Sequence, residues 1–241
     1  GEGDLTVRAK LDRKDELGQL GKAFDEMADQ VSNLLRAQTE LMASASHELR
    51  TPLARARVAL DIVNEGDSEL AREHLEEIAQ DLGELEQLVS DILIMAKLDL
   101  ERGRLDGPRQ PLRIEKIPAN ELIDDAIERF HGIHRERELL LERPPELPVL
   151  SADRVLLRRA ITNLLDNAAK YSEPDQPVKL MSREVRGGLE IEVADKGIGL
   201  ASEDLERIFS PFFRVDRSRT RSTGGVGLGL ALTRRIVRAH G

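Results

Sequence analysis

The chain has 241 residues, enough for more than one compact unit, with 34% charged residues, only 2% aromatics and a formal net charge of −9; this predicts charged helices with aliphatic seams and argues against a duplex nucleic-acid binder, which sets Lys and Arg against phosphates. The absence of cysteine excludes disulfides, zinc-thiolate centres and thiol catalysis. No apolar run approaches the roughly 20 residues that cross a bilayer and no signal-peptide pattern opens the sequence, so a soluble piece is expected.

Within a highly charged opening stretch, Leu17, Leu20, Phe24, Met27 and Val31 recur at gaps of three and four, one helix stripe. A second stripe runs through Met42, Ala45, Leu49, Leu53, Ala56, Leu60 and Val63, until the turn residues of NEGDS, Asn64 to Ser68, break it. A third passes through Ala71, Leu75, Ile78, Leu82, Leu85, Val89, Ile92 and Ala96, a heptad seam. The last two stripes predict an antiparallel helical hairpin. Alone it leaves part of its seam wet, so two copies are expected to pair into a four-helix bundle.

Glu101 to Pro111 has no periodicity, two Gly and two Pro, and marks a boundary. Beyond it, strand-like runs over 112–117, 178–185 and 189–194 alternate with helical runs over 119–135, 152–171 and 226–240, as in an α/β layer structure. Gly187-Gly188, between two adjacent strands, predicts a tight hairpin turn.

His47 lies on the second stripe's helix in SASHELRTPLA. At about 100° per residue it sits about 200° from Ala45 and Leu49, away from the seam. Glu48 is adjacent and Thr51 is one turn further on, so a nucleophile, a carboxylate and a hydroxyl can converge outside the bundle. A neutral imidazole can attack phosphorus if a partner holds the proton on its other nitrogen, and Glu48 is the obvious partner. Pro52 predicts a bend just after the histidine. His74, His131, His134 and His240 lack such company and read as solvated surface residues.

Further along, NLLDNAAKYS puts Asn163 and Asn167 four apart on one helix face, with Lys170 and Tyr171 behind. Amide oxygens suit the oxygen-rich shell of Mg²⁺, though a polar helix face is common. DKGIG brings Asp195 with Gly197 and Gly199, where backbone can approach a ligand while the carboxylate accepts a hydrogen bond. FSPFFR, 209–214, offers an apolar anchor followed by Arg214. RVDRSRTRSTGG, 214–225, is arginine-rich and poor in apolar residues and reads as a mobile lid. Gly225, Gly227 and Gly229 then precede an apolar helix whose free amides suit phosphate.

DELGQLGKAFDEM, through Asp15, Glu16, Leu17, Gly18, Phe24 and Met27, resembles the closing helix of a HAMP linker, with an ordinary coiled coil as the plain alternative. HELRTP closely resembles the phosphoacceptor box of sensor histidine kinases. NLLDNAAKY, DKGIG, FSPFF and GVGLGLAL, in that order, resemble the N, first-glycine, F and second-glycine boxes of their ATP domain, which is related to gyrase, Hsp90 and MutL. The resemblance implies a multidomain α and α+β fold: a C-terminal part of a HAMP linker over 1–32, a dimeric hairpin over 33–101, and an α/β sandwich ATP-binding domain over 112–241. The chain ends after His240-Gly241, where the family adds a final strand pair, so this domain is expected to lack its last strands.

The same resemblance implies ATP-dependent autophosphorylation of His47 with Glu48 as base. It further implies phosphotransfer to an aspartate of a response regulator's receiver domain, and regulator dephosphorylation supported by Glu48 and Thr51. It gives Asn163 and Asn167 to Mg²⁺ and phosphates, Lys170 and Tyr171 to the nucleotide wall, and Asp195 to adenine. Gly225, Gly227 and Gly229 fall to the triphosphate, with Arg214 reaching a phosphate. Partners are a second copy and the regulator, with no nucleic acid. The full-length protein is expected to be anchored in the plasma membrane upstream of residue 1, with this part in the cytoplasm. Two rivals remain at this stage: an ATPase of the gyrase, Hsp90 or MutL kind, for which Asn163 is a poor base, and a non-enzymatic coiled-coil dimer with a decayed nucleotide domain. A Ser/Thr kinase is excluded, because no Gly-loop, HRD or DFG series exists.

Overall fold

The computed structural model describes residues 7–9, 13, 15–64, 68–102, 112–215 and 226–241; within the helices, the side chains of His47 and some other residues lie outside that description. The chain divides into two units, Gly1–Asp81 and Leu82–Gly241.

In the first unit, helix α1 spans Glu16–Asn64 and joins the first two predicted stripes without a break. Asp15 starts it: its Oδ1 accepts from the Gly18 amide at 3.1 Å, satisfying one of the helix's orphan donors. The Arg13 guanidinium and then the Gly18 amide hold the Asp15 carboxyl below its ordinary range. Gly18 must be glycine here, because a Cβ would sit 1.9 Å from the Arg13 carbonyl oxygen. The preceding segment is tied to α1 by an Arg8–Asp29 ion pair and by the Ala9 amide donating to Asp25 at 2.6 Å. The helix runs through Pro52, which is buried, and continues to Asn64; the missing donor costs one i→i−4 bond and does not end it.

Helix α2 spans Ser68–Arg102. Its first part returns along α1, with Ile78 packed on Ala56 and Asp81 paired to Arg55 at 2.5 Å, so the expected antiparallel hairpin is present. The tip, 65–67, lies outside the described residues. Of the predicted seam, Ala45, Ala56 and Ile78 are buried while Met42, Leu53, Leu60 and Leu75 stay about half exposed in the single chain.

In the second unit, the rest of α2 is followed by β1 (Ile114–Pro118), α3 (Ala119–Ile133), β2 (Leu139–Glu142), β3 (Val149–Asp153) and α4 (Arg154–Tyr171). Then come β4 (Val178–Val185), β5 (Gly188–Ala194), two short 3₁₀ turns at Ser202–Asp204 and Arg207–Phe209, and α5 (Gly229–His240). Strand β1 pairs antiparallel with β3, while β2, β4 and β5 form a sheet in that order, parallel then antiparallel. Strands β2 and β3 were not among the predicted elements, and the helix expected from Ala152 starts only after Asp153. The expected Gly187-Gly188 turn is shifted by one: Gly188 pairs with Val185, so the two turn residues are Arg186 and Gly187, and Gly187 takes the positive φ of 89°.

Leu122, Ile123, Ala126 and Phe130 of α3 meet Ile161, Leu165 and Ala168 of α4 over Val178 and Leu180 of β4, in one buried cluster. Strand β4 alternates accordingly, with Val178, Leu180 and Ser182 buried and Lys179 and Met181 more open. Asp153 knots the corner of this unit. Its Oδ1 caps α4 at the Leu156 amide (3.1 Å), its Oδ2 accepts from the Arg113 amide (3.0 Å), and its own amide donates to Nε2 of His240 (3.0 Å). Because Nε2 accepts, the His240 proton belongs on Nδ1, which faces the Ile236 carbonyl at 2.8 Å. His240 is therefore a half-buried staple and not the expected solvated residue. His134 also departs from that expectation, with Nε2 3.1 Å from Asp166 Oδ1.

Candidate functional site

Helix α4 builds the site. Counted in turns along one face, Arg159, Asn163 and Asn167 form a row that lines a cavity of about 640 Å³, and Asp166, Lys170 and Tyr171 join them from the same helix. The opposite walls are Gly199 and Leu200, the 213–215 segment, and the 226–230 stretch that leads into α5. The fifth wall is α2, which contributes Glu84, Gln87, Leu88 and Asp91. Of the residues proposed from sequence, the structure brings together Asn163, Asn167, Lys170, Tyr171, Gly199, Arg214, Gly227 and Gly229 on this cavity. Asp195 and Gly197 lie beside it and are exposed. Gly225 and the predicted lid from 216 onward lie outside the described residues, as does the connection over 103–111.

Each wall has a local cause. Asp195 Oδ1 accepts from the Gly197 amide at 2.7 Å, and the Ile198 amide donates to the Tyr171 carbonyl at 3.2 Å, which lays the loop across the end of α4. A Cβ on Gly197 would sit 2.2 Å from that carbonyl oxygen, so the close approach requires glycine. The end of α4 is itself clamped by Arg137, a buried residue donating to Ser172 Oγ and to the Glu173 carbonyl. Across the cavity, the Phe212 amide donates to the Gly227 carbonyl at 3.0 Å, with Phe212 at φ 62° and Gly227 at φ 77°. A Cβ on Gly227 would meet the Phe213 carbonyl oxygen at 2.9 Å. This glycine is demanded first by the FSPFF segment packed on it.

The donor set is amide and ammonium. Asn163 Nδ2 donates to the Gly229 carbonyl at 3.3 Å, which leaves its amide oxygen for a cation. Among the described residues no group of three His, Asp or Glu is placed to hold a metal by itself. A hard cation here would rest on amide oxygens and on the ligand's own phosphates, which suits Mg²⁺ better than a metal needing an all-protein cage. Lys170 lies 5.2 Å from the Tyr171 ring centroid. Burial first, and Arg214 second, push its amine down to about 8.

Sequence reasoning missed Arg159 and the α2 wall. Arg159 donates to both carboxylate oxygens of Asp91 at 3.0 Å and to Gln87 Oε1 at 2.7 Å, and Gln87 Nε2 donates to Asp91 Oδ1 at 3.0 Å. Burial raises the Asp91 carboxyl above its ordinary value, with Arg159 pulling the other way. The signal available was the position of Arg159, one turn before Asn163.

His47, Glu48 and Thr51 stand on α1 in the first unit. Glu48 is half-buried and Thr51 exposed, while the outward direction expected of His47 concerns a side chain outside the described ones.

Three family matches cover most of the chain. Residues 1–33 match the HAMP domain, 37–101 the His Kinase A (phospho-acceptor) domain, and 152–241 the histidine kinase-, DNA gyrase B- and HSP90-like ATPase. Sensor protein RstB of Escherichia coli K12 is 32% identical over the whole chain and 53% of its own length, and signal transduction histidine-protein kinase BaeS of the same organism is 31% identical over 99% of the chain and 50% of its own. The chain belongs to the sensor histidine kinases. It spans about half the length of the curated relatives it matches. Among solved structures, full-length ShkA in complex with AMPPNP aligns with a TM-score of 0.57 and 27% identity, covering 83% of this chain and 41% of ShkA. The expected fold class stands: a helical hairpin followed by an α/β domain of the histidine kinase ATPase type.

Proposed function

We propose that the chain binds ATP in the cavity on α4, moves its γ-phosphoryl group onto His47, and passes it to an aspartate of a response regulator. The observation that carries this reading is the convergence of Asn163, Asn167, Lys170, Tyr171, Arg214 and the start of α5 on one cavity. Amides, cations and a helix N-terminus are what a triphosphate requires. The AMPPNP bound to ShkA supports the same occupant.

In this reading, residues 1–32 are the end of a HAMP linker, 33–101 the dimerising phosphoacceptor hairpin, and 112–241 the ATP domain. Lys170 and Arg214 hold phosphates, Tyr171 walls the base, and Asp195 accepts from the adenine amine, since the Gly197 amide already orients its carboxylate. Gly197, Gly199 and Gly227 permit close backbone approach, with Gly225 and Gly229 beside the phosphates. Asn163 and Asn167 would hold Mg²⁺, whose chemistry there is neutralisation of phosphate charge. The free imidazole nitrogen of His47 bonds to the γ-phosphorus as the bond to the bridging oxygen breaks and ADP leaves, with Glu48 holding the proton on the other ring nitrogen. In the second step a receiver carboxylate oxygen takes the phosphoryl group, the N–P bond breaks and neutral imidazole returns. Glu48 and Thr51 also support removal of the phosphate from the regulator.

The half-exposed seam residues fit a homodimer, and the HAMP match fits a membrane anchor upstream with this part in the cytoplasm. The test is His47→Gln with γ-labelled ATP. Labelling should disappear while nucleotide affinity stays within about twofold of wild type, since His47 lies outside the nucleotide pocket and its removal is a transition-state loss. Persistent labelling would overturn the role of His47, and sustained hydrolysis without any labelled protein would favour the ATPase rival.

A further inference from the structure

One cluster on the cavity is not used by the proposed chemistry: buried Asp91 with half-buried Arg159 and Gln87. Arg159 belongs to the same row as Asn163 and Asn167, yet its guanidinium is spent on α2, two-pronged on Asp91 and single on Gln87. Its Nε is buried without a partner, so the arrangement leaves a donor unused. The Asp91 carboxylate faces the same cavity, with its side chain only 10% exposed. An anion entering there meets a neutralised arginine and a fixed negative charge, and both lower its affinity.

The pair also fastens α2. Leu88, Asp91, Met95 and Leu98 are buried at gaps of three, four and three, a stripe on one side of the helix. Asp99, beside that stripe, pairs with Arg235 of α5 at 2.9 Å. Helix α2 is thus held to α4 by the Arg159–Asp91 pair, which reaches the cavity, and to α5 by the Asp99–Arg235 pair. A buried ion pair recovers little more than its desolvation cost, so a competing anion that arrives with its own charges can displace it.

We propose that Arg159 is shared between two anions: Asp91 holds it while α2 is docked, and a phosphate of the bound nucleotide takes it when α2 moves away, so that Asp91 is an internal competitor of the nucleotide's phosphates. The proposal rests on the reading of this cavity as the nucleotide site. By linkage, nucleotide then loosens α2 to the same degree that docked α2 weakens nucleotide binding.

The test is titration of the 241-residue chain, wild type and Asp91→Asn, with ATP and with adenosine. The asparagine keeps the shape and removes the charge. The substitution should tighten ATP about tenfold, the ordinary size of such a coupling, and leave adenosine unchanged. In an Arg159→Met background the gain from Asp91→Asn should shrink to the smaller effect of removing the bare Asp91 charge. In the unmodified chain, ATP but not adenosine should speed amide hydrogen exchange over residues 84–99, a readout that needs no variant to fold. Equal tightening of ATP and adenosine, a gain undiminished by Arg159→Met, or an unchanged ATP affinity would each overturn the shared-arginine proposal with the nucleotide site intact. Failure of both wild type and variant to bind ATP would instead remove the nucleotide reading and this proposal with it.

Discussion

If Lys170 meets the nucleotide's phosphates as proposed, nucleotide affinity should depend on pH in a window set by its surroundings. Its amine is lowered from the ordinary 10.5 to about 8, chiefly by burial and then by Arg214, against the opposing pull of Glu84 and Asp166. In the free chain the ammonium form is therefore roughly nine-tenths populated at pH 7 and one-tenth at pH 9. Phosphate next to the amine favours the charged form, so binding takes up a proton wherever the free chain lacks one. Affinity should be near its maximum at pH 7 and fall as pH rises through about 8. A ligand accepting only the ammonium form binds about tenfold more weakly at pH 9 than at pH 7.

Calorimetric titration with a non-hydrolysable ATP analogue, in two buffers of different ionisation enthalpy, counts the protons directly. The expected uptake is roughly 0.1 at pH 7, 0.5 at pH 8 and 0.9 at pH 9. Lys170→Arg, charged throughout, should give a flat profile. A wild-type affinity independent of pH, or an arginine variant with the same slope, would refute the reasoning. The folding contribution has the opposite sign: the unfolded lysine keeps its proton to about 10.5, so this group's contribution to the stability of the nucleotide-free domain rises between pH 8 and 10.5.

Other substitutions test the frame. Asp153→Ala removes the α4 cap and strands the Arg113 amide, and should cost about 2 kcal/mol in urea unfolding of the second unit. Gly197→Ala forces a Cβ onto the Tyr171 carbonyl oxygen and should weaken nucleotide binding, whereas Gly188→Ala, with open space around it, should change neither binding nor stability by more than about 0.5 kcal/mol. Val89→Asp charges a 44% exposed position on the predicted α2 seam; sedimentation should show dimer shifting to monomer while ATP affinity, governed by the Asp91 face, stays put.

The local elements were legible where periodicity and punctuation agree. Strand β4 falls on the expected residues, and α4 ends on Tyr171 as expected because Ser172 begins a turn-rich run. Strand β2 is a short continuous apolar run, LLLE, with no alternation to separate it from a helix end. Of strand β3 only Ala152 and Asp153 fall in the expected helical run, and 149–151 fall in no expected element; what makes it a strand is pairing with β1, more than thirty residues away, which no local pattern reports. Asn163, Asn167, Lys170 and Tyr171, which line the cavity from α4, were readable as a motif, and Arg159 one turn before them was not. Arg137 was not, because its role is to hold Ser172 and Glu173 from a loop that is close only after folding.

Helix α2 shows why the α2 wall of the cavity lies outside the expected heptad seam. The heptad positions Leu82, Leu85, Val89, Ile92 and Ala96 centre on one direction, whereas Leu88, Asp91, Met95 and Leu98 centre about 120° away at 100° per residue. In the single chain Leu82 and Val89 are exposed and Met95 and Leu98 buried, so the helix carries two separate obligations. A seam reading treats Asp91 as a solvated charge, because an acidic residue off the apolar stripe is usually that. Its burial follows only once Arg159 is opposite it, and an ion pair across distant segments has no periodic signature. The two faces point in different directions, so pairing of two chains through the proposed seam would not need the Asp91 face. Loosening the grip on Arg159 is then expected to leave such pairing intact, and Val89→Asp and Asp91→Asn should act independently of one another.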